Sequence, residues 1–130
     1  MFQVDVMSRT PVYEQITGQV ERYVAIGVLN AGDPLPSVRS LSVELSVNPN
    51  TIQKAFNELQ NANITVSVPG KGSFISEGAL DIIKGKLRAE LGNFKLLAQK
   101  LAISGMSEEE ICDCVRDALK ERRQADDIGK

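Results

Sequence analysis

The stretch 36-PSVRSLSVELSVNPNTIQKAFNEL-59 joins two short helix-like patterns with only a few residues between them. In the first, Ser37 suits an N-cap, and Val38, Leu41 and Leu45 recur at spacings of three and four, the period of one helix face. In the second, Asn48 is again a cap, and Pro49 stands just inside the helix, where its missing amide hydrogen has no intrahelical partner to lose. Ile52, Ala55, Phe56 and Leu59 then form an i, i+3, i+4, i+7 apolar set. The opposite face carries Asn50, Gln53, Lys54 and Asn57. A solvent-laced helix face is ordinarily built from Glu and Lys in i, i+4 pairs, whereas the only acid here is Glu58. Amides and an ammonium can reach base edges and phosphates in a DNA major groove, although a merely solvated face would explain the same residues.

Working outward, "TPVYEQI" at 10–16 opens an earlier helix, with Thr10 as a cap, Pro11 in the first helical position, and a stripe of Val12, Ile16, Val20, Tyr23 and Val24. Gly27 and Gly32 mark its end and a turn. Before it, "FQVDV" at 2–6 alternates apolar and polar, as a short strand or an ordered arm would. After Leu59, Asn63 suits the left-handed conformation that ends a helix. "ITVSV" and "SFI" then flank the glycine-bearing loop "PGKG", a hairpin with Lys71 at its tip. Helix, helix-turn-helix and hairpin in this order make a winged helix-turn-helix, whose second motif helix enters the major groove with the wing alongside.

The chain resembles the GntR-type bacterial transcription regulators, and most closely their short YtrA-like subgroup. The matching segments are "PVYEQI" at 11–16, "GDPLPSVRSLS" at 32–42, "NPNTIQKAFNEL" at 48–59 and "GKGSFI" at 70–75. The resemblance implies that Arg39 contacts a backbone phosphate or a guanine, roles that suit its planar fork of donors. It also places Ser37, Asn50 and Thr51 where such proteins use hydroxyls, amides and main-chain N–H groups on DNA. Gln53 and Lys54 fall on its reading face, and Gly70, Lys71 and Gly72 form its wing tip. Gln53 can pair bidentately with adenine, whereas Lys54 suits a phosphate or guanine. Four positions depart from the family pattern: Gln53 stands where a basic residue is common, Pro69 where Arg is, and Ser46 and Asn63 where Gly is. Fewer cationic contacts imply a shallower salt dependence, since each neutralised phosphate adds about one unit to the slope of log affinity against log salt.

The remainder reads as a helical tail. Residues 79–104 carry a stripe of Leu80, Ile83, Leu87, Leu91, Phe94, Ala98 and Leu101, interrupted by Gly85 and Gly92, which each cost a helix about 1 kcal/mol relative to Ala. Ser107 with Glu110 forms a capping box for a last helix reaching about Arg123, with "QADDIGK" fraying beyond it. The expected fold is therefore mainly α with a small β-hairpin: a winged helix-turn-helix over 1–76 and a two-helix dimerisation tail over 77–130. Leu80, Ile83, Leu87, Leu91, Phe94 and Leu101 are the expected pairing residues, because the stripe exceeds what one short helix can cover and because such folds read two-fold operators.

Composition sets the remaining bounds. The 130 residues suffice for one modest core, and 42% apolar with 25% charged content is ordinary for a globular chain. A net charge of −2 gives no global sign of nucleic acid, and residues 33–76 balance three basic against three acidic groups, which keeps open a winged-helix protein-interaction module without its own operator. No apolar run approaches the roughly 18 residues of a membrane span and the N-terminus lacks signal-peptide order, so the chain is expected in the cytoplasm. Cys112 and Cys114 point about 200° apart on a helix and, in a sequence with no histidine, make a poor metal site. Without histidine, a phosphate loop opening a helix, or a placeable carboxylate pair, an enzyme is not expected, nor is a cofactor. The expectation is thus a sequence-specific DNA-binding transcription regulator, a repressor on an inverted-repeat, double-stranded operator, acting as a homodimer. The sequence names neither the operator nor any small-molecule effector.

Overall fold

The computed structural model describes residues 2–129, the side chains of 125–129 excepted. Its elements run α1 (Val12–Ala25), α2 (Val38–Leu45), α3 (Pro49–Asn61), β1 (Thr65–Val68), β2 (Gly72–Ile75), α4 (Ala79–Ala89), α5 (Leu91–Ile103) and α6 (Glu108–Gly129). This is a winged-helix arrangement: mainly helical, with one two-stranded antiparallel hairpin. Two compact units divide the chain, Met1–Gly85 and Lys86–Lys130, and the division falls inside α4 rather than after the hairpin at residue 76.

In the first unit α3 packs against both α1 and α2. Ile52, Ala55, Phe56 and Leu59 are all buried, together with Ile16, Val20 and Val24 from α1 and Leu41 from α2. Burying each of these larger side chains contributes about 1.5–3 kcal/mol, so the apolar stripe of α3 outweighs its weak intrinsic helix signals. Ser37 caps α2 by accepting from the Ser40 amide at 3.0 Å, and Asn48 caps α3 by accepting from the Asn50 amide at 2.8 Å. Between them Ser46 takes a left-handed φ of 54°. The turn is braced by Ser42, whose hydroxyl donates to the Val47 carbonyl at 2.6 Å while its own carbonyl accepts from the Val47 amide at 3.1 Å. Two side-chain caps and one hydroxyl thus close the connection that glycine closes in the family pattern.

Of the two forms expected for residues 2–6, a short strand or an ordered arm, the structure has the arm, because their backbone partners are side chains of α1: the Gln15 amide group exchanges hydrogen bonds with Asp5 at 2.8 and 2.9 Å, and Gln19 does the same with Gln3. The arm carries Phe2 into the core, edge-on to Tyr23 with ring centroids 5.9 Å apart. Thr10 does not cap α1. Pro11, with ψ of 146°, occupies the cap position, and the Thr10 carbonyl instead accepts from the Gln15 side chain at 2.8 Å.

The wing rises from Asn63, which is left-handed at φ 64° as its sequence suggests. Thr65 pairs with Ile75 and Val68 with Gly72. At the tip the Lys71 amide donates to the Val68 carbonyl at 2.9 Å, with Pro69 and Gly70 at the central positions and Gly70 at φ 77°. That is a type II turn, in which proline pre-sets the first central residue and glycine supplies the positive φ of the second. The root of the wing is gripped by the loop before α2: Gly32 and Leu35 donate to Ile75 and Ser73 at 2.8 and 2.9 Å, and Asp33 accepts from Ile75 at 2.9 Å.

The tail also departs from its expected form. The helix expected over 79–104 breaks at Glu90, whose amide reaches the Leu87 carbonyl, three residues back, at 3.0 Å. Glycines at 85 and 92 flank the break, where helix propensity is lowest. Three helices therefore follow the hairpin where two were expected. The first of them sinks Ala79 and Ile83 into the core of the first unit. Ile83 is fully buried there by its own chain and is withdrawn from the pairing residues. In the second unit α5 packs against α6, and Ser107 and Glu110 exchange the two hydrogen bonds of a capping box at 3.1 and 3.3 Å. The backbone of α6 continues through Gly129, beyond the expected fraying at Arg123. Cys112 is half-buried and Cys114 exposed, both as free thiols.

The two faces of α3 should respond oppositely to truncation. Ile52→Ala is expected to lower stability by about 2–5 kcal/mol, and Gln53→Ala to change it by less than about 0.5 kcal/mol, as read from urea unfolding.

Candidate nucleic-acid interface

The caps that start α2 and α3 also determine what each helix shows to solvent. With Val38 half-buried and Leu41 inward, Arg39 emerges exposed on the first turn of α2. The Ser37 hydroxyl beside it is engaged as an acceptor by the cap, which leaves its own hydrogen to donate. At the start of α3, Asn50 is exposed and Thr51 half-buried, at the positive end of the helix dipole, a location that favours anions. One helical turn on, Gln53, Lys54 and Asn57 are all exposed.

Two of these side chains are brought together. Gln53 donates from Nε2 to Asn57 Oδ1 at 2.8 Å, across one turn of the helix. The pair then offers an acceptor at Gln53 Oε1 and donors at Asn57 Nδ2, the complement of an adenine edge in the major groove. Lys54 goes elsewhere. Its Nζ lies 3.9 Å from the centroid of the Tyr13 ring on α1, over the ring face. Gly70, Lys71 and Gly72 are exposed at the wing tip, where the turn raises Lys71 off the sheet.

Tyr13 is a residue that the stripe of α1 does not pick out, since it lies beside the buried set rather than within it. An aromatic ring on the first turn of α1, bordered by Glu14, was the available signal. Its hydroxyl donates to Glu14 Oε1 at 3.2 Å. That bond, then partial desolvation, then the charges of Glu14 and Glu58 raise its pKa above the ordinary tyrosine value. These effects all favour the neutral phenol, and the cation meets a ring face rather than a phenolate.

Of the expected pairing residues, Leu80, Leu87, Leu91 and Phe94 are exposed and Leu101 is half-buried. The second unit shows more apolar surface than that stripe: Leu96, Leu97 and Ile103 on α5 are exposed too, and no residue of α5 is buried. Among the described residues, no helix is long and apolar enough to cross a membrane.

Comparison with known proteins places this geometry among relatives. Residues 12–75 match the model of the bacterial regulatory proteins of the gntR family. The chain is 35% identical over 118 residues to the HTH-type transcriptional repressor YtrA of Bacillus subtilis, covering 90% of this chain and 91% of that one. It superimposes on a transcriptional regulator from Oenococcus oeni with a TM-score of 0.70 at 33% identity, over 89% and 97% of the two chains. The DNA-binding domain of AraR in complex with operator ORE1 aligns with 58% of this chain and 95% of its own, at a TM-score of 0.50 and 26% identity.

The wing tip provides a direct test of this face. Lys71→Ala is expected to lower duplex affinity and to flatten the slope of log affinity against log salt by about one unit, measured by titrating labelled duplex at several salt concentrations.

Proposed function

Because this chain belongs to the gntR family of bacterial regulatory proteins and is a DNA-binding transcription regulator, we propose that it works as a homodimeric repressor on a two-fold-symmetric operator. The observation that carries the reading is the outward amide and ammonium face of α3, exposed along Asn50, Gln53, Lys54 and Asn57 while its apolar face is buried. In this reading α3 enters the major groove with the Gln53–Asn57 pair against base edges. Asn50 and Thr51 bring the amino end of α3 to a phosphate, and Arg39 from α2 takes a phosphate or a guanine. Lys71, lifted by Gly70 and Gly72, follows the backbone beside the groove. Repression is favoured by the likeness to the Bacillus subtilis repressor over most of both chains.

Pairing is assigned to the second unit. Its helix α5 presents Leu91, Phe94, Leu96, Leu97 and Ile103 without burying any residue of its own, more apolar surface than a helix keeps in water without a partner. A second copy of the chain supplies the same surface, and the operator that suits such a dimer has two half-sites about one helical turn of DNA apart. The functional division is then a DNA-binding part through the hairpin, with α4 as its last packed element, and a pairing part in α5 and α6. A protein of this kind acts where bacterial DNA lies, in the cytoplasm.

Arg39→Ala should weaken binding to a duplex selected from random sequence by about 1–3 kcal/mol with the melting temperature unchanged, and a loss below about 0.5 kcal/mol would remove Arg39 from the interface. Leu91→Asp should halve the mass seen by light scattering, and an unchanged mass would show that pairing, if any, runs through another surface.

A further inference from the structure

Lys54 is a long side chain with four rotatable bonds, and holding it in one place before binding is entropically costly, up to about 2 kcal/mol of rotamer freedom. In this structure it is held. Its ammonium lies 3.9 Å from the centroid of the Tyr13 ring, on a neighbouring helix, although the residue itself is exposed. Tyr13 is half-buried and its hydroxyl is tied to Glu14 at 3.2 Å, so the ring itself is steadied from two sides.

We propose that Tyr13 is a positioning residue for DNA binding: its ring face pins the Lys54 ammonium on the α1 side of α3, where it meets a backbone phosphate and leaves the Gln53–Asn57 pair alone against the bases. The proposal rests on the reading of this face as a DNA interface. A lysine drawn sideways onto α1 cannot also point along the helix face into the groove, and the hydrogen-bonded amides occupy that direction. A phosphate contact from a lysine already held in place loses less freedom on binding than one from a mobile side chain. The neutral phenol matters only through its ring, so phenylalanine should do the same work.

Two measurements test this. In the free protein, the Lys54 ε-methylene protons should be shifted upfield by the ring current in the wild type and in Tyr13→Phe, and should return to the ordinary lysine position in Tyr13→Leu. Ordinary shifts in the wild type would overturn the pin without any reference to DNA. In the second, labelled mixed-sequence duplex is titrated at low salt. Tyr13→Leu should weaken binding about two- to fivefold, the range of an exposed cation–π contact, and Tyr13→Phe should bind as the wild type does. In a Lys54→Met background Tyr13→Leu should have no further effect. An equal loss with and without Lys54, as a packing or folding defect would produce, overturns the proposal alone. A wild-type chain that binds no duplex overturns the interface reading and this proposal with it.

Discussion

The structure turns on the amphipathic division of α3. Ile52, Ala55, Phe56 and Leu59 recur at helical spacing, and α1 and α2 supply the apolar surfaces that cover them. Rotating α3 about its axis to bury the opposite face would bring Asn50, Gln53, Lys54 and Asn57 inward and expose Ile52, Phe56 and Leu59, a change costing several kcal/mol for each polar group left unpaired. The outward face is therefore a consequence of the inward one. What that face can bind follows from its residue types, and where it can bind follows from how the neighbouring elements hold the helix.

Those neighbours hold it mostly through local hydrogen bonds. Ser37 and Asn48 cap the two motif helices, Ser42 clasps Val47 across the turn, and the loop at 32–35 grips the root of the wing. Each bond contributes little, about 0.5–1.5 kcal/mol. Their joint effect is geometric: α2, α3 and the hairpin share a fixed frame. Ser46 stands in a left-handed conformation that glycine adopts more readily, and the clasp over Val47 compensates for that strain.

The tail follows a different logic. Its apolar residues are spread around α5 rather than gathered on one stripe, and none is buried. A single amphipathic face would have packed back on its own chain, as the start of α4 does through Ala79 and Ile83. An all-round apolar helix has more surface than one neighbour such as α6 can cover.

By itself the sequence determined the local elements. The caps of α2, α3 and α6, the left-handed Asn63 and the glycine-bearing hairpin each depend on residues a few positions apart, so short-range sterics and hydrogen bonding were enough to read them, whereas the start of α1 at Pro11 and the helix break at Glu90 were misread. The outward polar face of α3 was legible for the same reason, since face follows period. Only the tertiary structure decided which distant groups meet. Whether residues 2–6 pair as a strand depended on the amides of Gln15 and Gln19, and whether Ile83 was free for a partner depended on the core of the first unit. The meeting of Lys54 with Tyr13 depended on the packing of α1 against α3. These are contacts between residues far apart in the chain, and a one-dimensional pattern carries no term for them.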